Sequence, residues 1–379
     1  MFMSRTWQWW VVVGAMGLMA CRTTGTVVRE EPNPPRQVLQ FEPVEVTADL
    51  SLAKLNDEEL FASGTAAFAA NDFKQAARYF GRIVDFHPDS SHRREALYNA
   101  GLAHQKLEQW EEAYQRFSEL ADAAKGTGDA LEAAFRVAES YYHQQRYEDA
   151  TQVLRVIADR EDLPMGRRIE ARVQQGVCEL DAGHREQAEA TLRKAITDYK
   201  ALPDKDEVEE HLPAQAYFYI GEMYRQDFDA VKLDPAKGSD KLAKDLNFKA
   251  ELLLSAQGNY LLAIRVGNGD WATAAGAQIG LLYESLYDQM VNTQAPAELN
   301  AEEAQVYRHE LRKKIRVLLT KSIDIYERTL EAAERTGSQN TFVDRTRESL
   351  RKVRDLLLAD ADTDAESAPP PTPASKPRS

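Results

Sequence analysis

Two cysteines in 379 residues are too few for a disulfide scaffold. The seven histidines are scattered, and none stands with cysteines or carboxylates at metal-ligand spacing. Basic residues are outnumbered, 47 against 61 acidic, and the formal net charge of −14 excludes the basic footprint of a generic nucleic-acid binder. Past the N-terminus no apolar run reaches the roughly 18 residues that span a membrane. The chain has no Gly-x-x-x-x-Gly-Lys phosphate loop and no zinc-protease helix motif. Gly267-Asn268-Gly269-Asp270 is glycine-rich but lacks the preceding strand of a nucleotide site, so it reads as a turn capped by Asp270 before a helix starting at Trp271. No carboxylate pair is marked out by an apolar setting. The expectation is a non-enzymatic protein with no cofactor and no metal.

What is present begins with an address. Arg5 precedes a twelve-residue apolar or small run, Trp9 to Ala20, too short to span a membrane. The run ends in Leu18-Met19-Ala20-Cys21, which resembles a bacterial lipobox. The resemblance implies a signal peptide over 1–20 and a lipidated Cys21 as the first mature residue. The other reading is an ordinary signal peptide followed by an accidental cysteine. Arg22, rather than Asp, after the cysteine implies the outer membrane by the sorting habit of enteric bacteria, with the folded part in the periplasm. Acyl chains worth about 0.8 kcal/mol per buried methylene would anchor it. Residues 21–51 carry Pro32, Pro34, Pro35 and Pro43 and read as a flexible tether. Residues 359–379 hold five prolines and read as a disordered tail. Cys178, left alone, is expected to be buried on a helix as a small hydrophobe.

Between these ends lies a repeat. Ala76, Ala113, Ala150 and Ala188 recur at 37, 37 and 38 residues. Phe80, Phe117, Leu154 and Leu192 keep the same spacing, as do Gly64, Gly101, Ala138 and Gly176. Phe73, Trp110 and Tyr147 agree, and Arg185 breaks type. Each unit resembles a tetratricopeptide repeat: a small residue on the first helix and an alanine on the second let two antiparallel helices approach. Phe80 fills the space behind them, and Pro88 stops the second helix. The resemblance implies an all-α fold, a right-handed solenoid of antiparallel helix pairs with a longer-helix C-terminal extension. Four repeats occupy 52–199. A fifth, over 200–266, is marked by Tyr217, Gly221, Ala256 and Tyr260, with an insertion near 226–248. Residues 267–358 form C-terminal helices, with Gly280, Ser322 and Tyr326 as a weaker sixth unit and one long helix over 302–336.

In such arrays the first helices line a groove. The positions three before the matched glycine hold Phe61, Tyr98 and Phe135, with Phe218 in the fifth unit; Phe68 and Tyr142 stand four after it. Six before it stand Glu58, Glu95, Glu132 and Glu170. An aromatic stripe beside an acidic ladder suits a partner segment carrying Lys or Arg. First-turn glutamates are also favoured by the helix dipole alone, and the rings can simply pack repeat against repeat. Arg312, Lys313, Lys314 and Arg316 on the long helix are either a docking patch for an acidic partner or anionic lipid, or a solvated face paired with Glu302, Glu303 and Glu310.

Taken together, the chain is similar to tetratricopeptide outer-membrane lipoproteins. These include the lipoprotein of the β-barrel assembly machine and the pilotins of secretin channels; the Tol–Pal coordination proteins share the repeats without the lipid. That implies a lipid-anchored scaffold whose groove binds envelope proteins in a machine for outer-membrane protein assembly, secretion, pili or gliding motility. The alternative is a solute-binding or cell-wall-acting lipoprotein with a pocket in its C-terminal half.

Overall fold

A computed structural model describes residues 52–205, 208–295 and 299–367, with side chains through 359. The leader, Cys21, the tether and the tail from 368 onward lie outside the described residues. Among those described, the regular structure is helical: α1 (Asp57–Ala69), α2 (Phe73–Phe86), α3 (Arg93–Lys106), α4 (Trp110–Ala123), α5 (Gly128–His143), α6 (Tyr147–Ala158), α7 (Met165–Asp181), α8 (Arg185–Ala201), α9 (His211–Ala230), α10 (Ser239–Val266), α11 (Gly269–Asn292), α12 (Ala301–Thr336) and α13 (Thr341–Ser367). Successive helices pack as pairs, α1 on α2 through α11 on α12, and α13 covers the last pair.

The small-residue columns make the pairing. Ala76, Ala113, Ala150, Ala188 and Ala256 are all fully buried. A Cβ added at Gly101 would lie 2.6 Å from the Phe117 ring, and one at Gly280 would lie 2.2 Å from Tyr326. Gly64 stands in the same relation to Phe80, Gly176 to Leu192 and Gly221 to Tyr260. Five of the pairs therefore close by sinking one large side chain of the second helix into the space a glycine leaves on the first, and the α5–α6 pair has Ala138 at that place. The turn between the two helices also repeats: Asn71, Glu108, Gln145 and Gly183 all have left-handed backbones, with φ of 60°, 57°, 61° and 83°. Only the last is a glycine, so three repeats carry strain at this point.

The sixth unit obeys the same geometry with altered chemistry. Ser322 takes the alanine place, fully buried, and its hydroxyl donates to the Gly280 carbonyl at 2.9 Å. Tyr260 and Tyr326 replace phenylalanine in the two enlarged pairs, and each hydroxyl is satisfied by a carboxylate of the facing helix, Glu222 and Glu284 respectively. Enlargement comes from helix, not loop. Gly221 and Tyr260 stand 39 residues apart where Gly64 and Phe80 stand 16. The extra chain lengthens α9 to 20 residues and α10 to 28, joined through a short 3-10 turn at Pro235–Lys237. Lys249, fully buried, closes the end of this hairpin by donating to the Phe228 and Val231 carbonyls, the orphan acceptors at the end of α9.

Two local expectations are corrected. The cap before Trp271 is Asn268, whose side chain accepts from the Trp271 amide at 3.1 Å; Asp270 instead accepts from Asn340 of the α12–α13 turn. Helix α13 runs on through Ser367, into the stretch read as tail, because no Pro or Gly stands between Thr341 and Ser367 to stop it. Cys178 is placed as expected: it is free and fully buried on α7, and burial pushes its pKa up.

Candidate partner-binding groove

The predicted groove residues sit on the first helices of the pairs, α1, α3, α5, α7 and α9, but they do not share one environment. On α1 and α3 the rings are half-buried. Phe61 stacks on His92 with ring centroids 4.5 Å apart and meets Phe80 edge-on at 5.7 Å. Tyr98 meets Phe117 edge-on at 5.8 Å. Glu58 and Glu95 beside them are exposed, and Glu95 lies 3.9 Å from the His92 ring. Phe68 is half-buried against the edge of Phe73. These residues offer aromatic surface under an acidic rim.

On α5 and α7 the same positions are closed. Phe135 is 1% exposed, a core residue, and the Arg167 guanidinium lies over its ring at 4.4 Å. Arg167 also pairs with Glu132 of α5 at 3.1 Å and with Glu170 on its own helix. Arg136 adds a second cation, 3.7 Å from Glu132 and 2.7 Å from Glu139. The third and fourth rungs of the acidic ladder are thus neutralised from within. Burial outweighs the neighbouring Arg167 charge at Glu170, so its carboxyl is pushed up to about 7. Tyr142 is half-buried and donates to Asp181 at 2.6 Å, tying α5 to α7; burial raises its hydroxyl pKa.

Phe218 is no groove residue at all. It is 2% exposed and packs against Tyr260, Trp271 and Phe342, where α9, α10, α11 and α13 meet. A ring three residues before the matched glycine faces outward only while no later helix covers it, and here α11 and α13 do. Arg167, which covers Phe135, carries no signal in the repeat pattern, because the residues in its register are Leu55, His92 and Asp129.

Elsewhere, Arg312, Lys313 and Lys314 are exposed on α12 and Arg316 is half-buried. Between α11 and α13 a cavity of about 350 Å³, open to solvent, is lined by Leu281, Glu284, Asp288 and Lys352, with Lys352 donating to Glu284 at 2.6 Å. A wider open cleft of about 600 Å³ lies on the outer side of α2, lined by Lys74, Arg78, Arg82 and Arg116. No group of metal-ligating side chains is found among the described residues. None of the described helices is long and apolar enough to cross a membrane.

No curated protein matches the chain in sequence. A tetratricopeptide repeat protein from Bacteroides fragilis has a similar structure at 14% identity, over 80% of this chain and 98% of that one, with a TM-score of 0.30. A tetratricopeptide repeat protein from Parabacteroides merdae is 12% identical over 79% and 98% of the two chains, TM-score 0.37. The apo form of RapI is 10% identical over 79% and 98%, TM-score 0.43. The tetratricopeptide repeat family model matches residues 60–90 and 95–125, the α1–α2 and α3–α4 pairs. Those two segments are tetratricopeptide repeats, and the pairs that follow keep their small-residue register in an all-α array.

Proposed function

We propose that this chain is a non-enzymatic, lipid-anchored scaffold. Its first two repeats hold a partner segment in a bacterial envelope machine for outer-membrane protein assembly, secretion, pili or gliding motility. The observation that carries this reading is the contrast within the groove. Phe61, stacked on His92, and Tyr98 are half-buried beside the exposed carboxylates of Glu58 and Glu95, while the corresponding ring of the third repeat, Phe135, is buried under Arg167. Arg167 over Phe135, held by Glu132 and Glu170, is an internal picture of what the open repeats would receive: a guanidinium or ammonium laid on a ring between carboxylates. The partner segment is therefore basic. The address comes from Leu18-Met19-Ala20-Cys21, which supports lipidation at Cys21 and a folded part standing in the periplasm below the outer membrane.

The test is a crosslinking pull-down from the protein's own envelope with wild type and the Phe61→Ala/Tyr98→Ala variant, with circular dichroism as the fold control. Aromatic anchors are worth about 2 kcal/mol or more each when they bind. A folded variant should lose the partner, and the wild-type interaction should weaken with added salt, since screening acts over about 8 Å at 0.15 M. Full partner recovery by a folded variant would remove the groove from consideration and turn attention to the Arg312–Arg316 face.

A further inference from the structure

Helix α10 carries a glycine that nothing inside the molecule explains. Gly258 lies in the interior of a 28-residue helix, where glycine is a poorer helix former than alanine. Gly64, Gly101, Gly176, Gly221, Gly276 and Gly280 receive a side chain from the facing helix, and Gly81 lies against Arg116. A Cβ at Gly258 would meet nothing within 4 Å. It is on the outer face of the helix, flanked by Leu254, 62% exposed, and Leu261, 40% exposed. A helix turns about 100° per residue, so Leu254, Gly258 and Leu261 share one stripe, and positions seven before and seven after Gly258 fall within about 20° of it. Those positions are Glu251 and Arg265. Both are exposed, and neither side chain has an ion-pair partner among the described residues.

The stripe is complementary to itself under a twofold rotation. Two copies of α10 laid antiparallel and crossing at Gly258 bring Leu254 of each against Leu261 of the other. The same operation sets Glu251 of each opposite Arg265 of the other, so two ion pairs form at once. A glycine at the crossing lets the backbones approach closely, since it carries no Cβ to hold them apart. We infer that this face of α10 is a self-association surface, and that its occupant is α10 of a second copy of this chain. One helix face buries less than the 1,200–2,000 Å² of a standard interface, so the dimer is weak and concentration-dependent. On a membrane-anchored chain, confinement to a surface would raise the effective concentration. The inference itself rests on α10 and not on the groove or the anchor.

Charge reversal tests it, because the positions are exposed and their replacement leaves the fold intact. Sedimentation equilibrium of the full chain in detergent should show a reversible dimer. Glu251→Arg alone and Arg265→Glu alone should each weaken it at least tenfold. The Glu251→Arg/Arg265→Glu double variant should recover it, since the pairs are re-formed with reversed sign. Gly258→Cys should give a disulfide-linked dimer under mild oxidation, with wild type showing how much arises from its own cysteines. A wild-type monomer across the accessible range, or a dimer indifferent to the single reversals, would overturn the inference. So would a double variant no better than the singles.

Discussion

The Tyr326 hydroxyl on α12 donates to the Glu284 carboxylate on α11 at 2.9 Å, across the closest approach of the last helix pair. Glu284 is 4% exposed and receives Lys352 of α13 on its other oxygen, so one carboxylate joins three helices. Burial, with Glu284 nearby, raises the Tyr326 pKa. Tyr326→Phe keeps the ring that fills the space at Gly280 and removes only the donor. A buried hydrogen bond to a charged group is worth about 1.5–3 kcal/mol, so the variant should lose about that much in urea unfolding. Lys352→Met, whose side chain is more than half exposed, should cost less.

The column register is tested by two alanines on one helix. Ala113 is fully buried where α3 meets α4, and Ala123 is exposed at the end of α4. Overpacking a close crossing costs about 1–3 kcal/mol. Thermal melts of Ala113→Leu and Ala123→Leu should separate by several degrees, with Ala113→Leu lower. Equal melting temperatures would contradict the pairing described here.

Gln145 holds a left-handed backbone, φ 61°, at the turn where the fourth repeat has Gly183. Such a conformation costs a non-glycine residue about 1–2 kcal/mol, partly offset by the extra unfolded-state entropy of glycine. Gln145→Gly should therefore stabilise the chain by about 0.5–1 kcal/mol, read as a rise in urea midpoint at unchanged slope.

Glu170 gives a pH signature. Its carboxyl is raised from the ordinary 4.5 to about 7, so between those values the folded state binds more protons than the unfolded state. Stability from this group is fully present below pH 4.5 and is lost as pH rises through 7. The melting temperature of Glu170→Gln, relative to wild type, should rise across that window, because glutamine never ionises. A constant difference between pH 4.5 and 8 would contradict the burial of this carboxylate.

The anchor has its own test. Changing Cys21 to Ser should leave the chain unlabelled by a fatty-acid probe and shift it out of the membrane fraction. Retention of both label and sedimentation would show that another element anchors it.

Much of this fold is legible in the sequence because its contacts are local and repeated. Gly64, Ala76 and Phe80 stand within one helix pair, and the same three positions recur along the chain, with Ala138 and Ser322 as changes of residue within them. The fifth and sixth pairs stay legible through Gly221 with Tyr260 and Gly280 with Tyr326, although the spacing changes. The groove is less legible because its exposure depends on what lies over it. Nothing in the periodicity says that Arg167 reaches back 35 residues to Glu132, or that α11 and α13 cover Phe218. Long-range cover of this kind is set by the packing of later helices, and a column of matched residues carries no record of it. Lys249 is hidden for the same reason: a lysine reads as surface until the carbonyls at the end of α9 are known to face it.

The most direct test of the scaffold account is site-specific photocrosslinking in intact cells. A photoreactive residue at Glu95 stands on the open groove, and one at Leu358, 65% exposed on α13, stands on a surface with no assigned partner. The account predicts a discrete adduct from position 95, lost in the Phe61→Ala/Tyr98→Ala background, and none of the same mass from position 358. The same adduct from both positions, or one from position 95 that survives loss of the two rings, would contradict it.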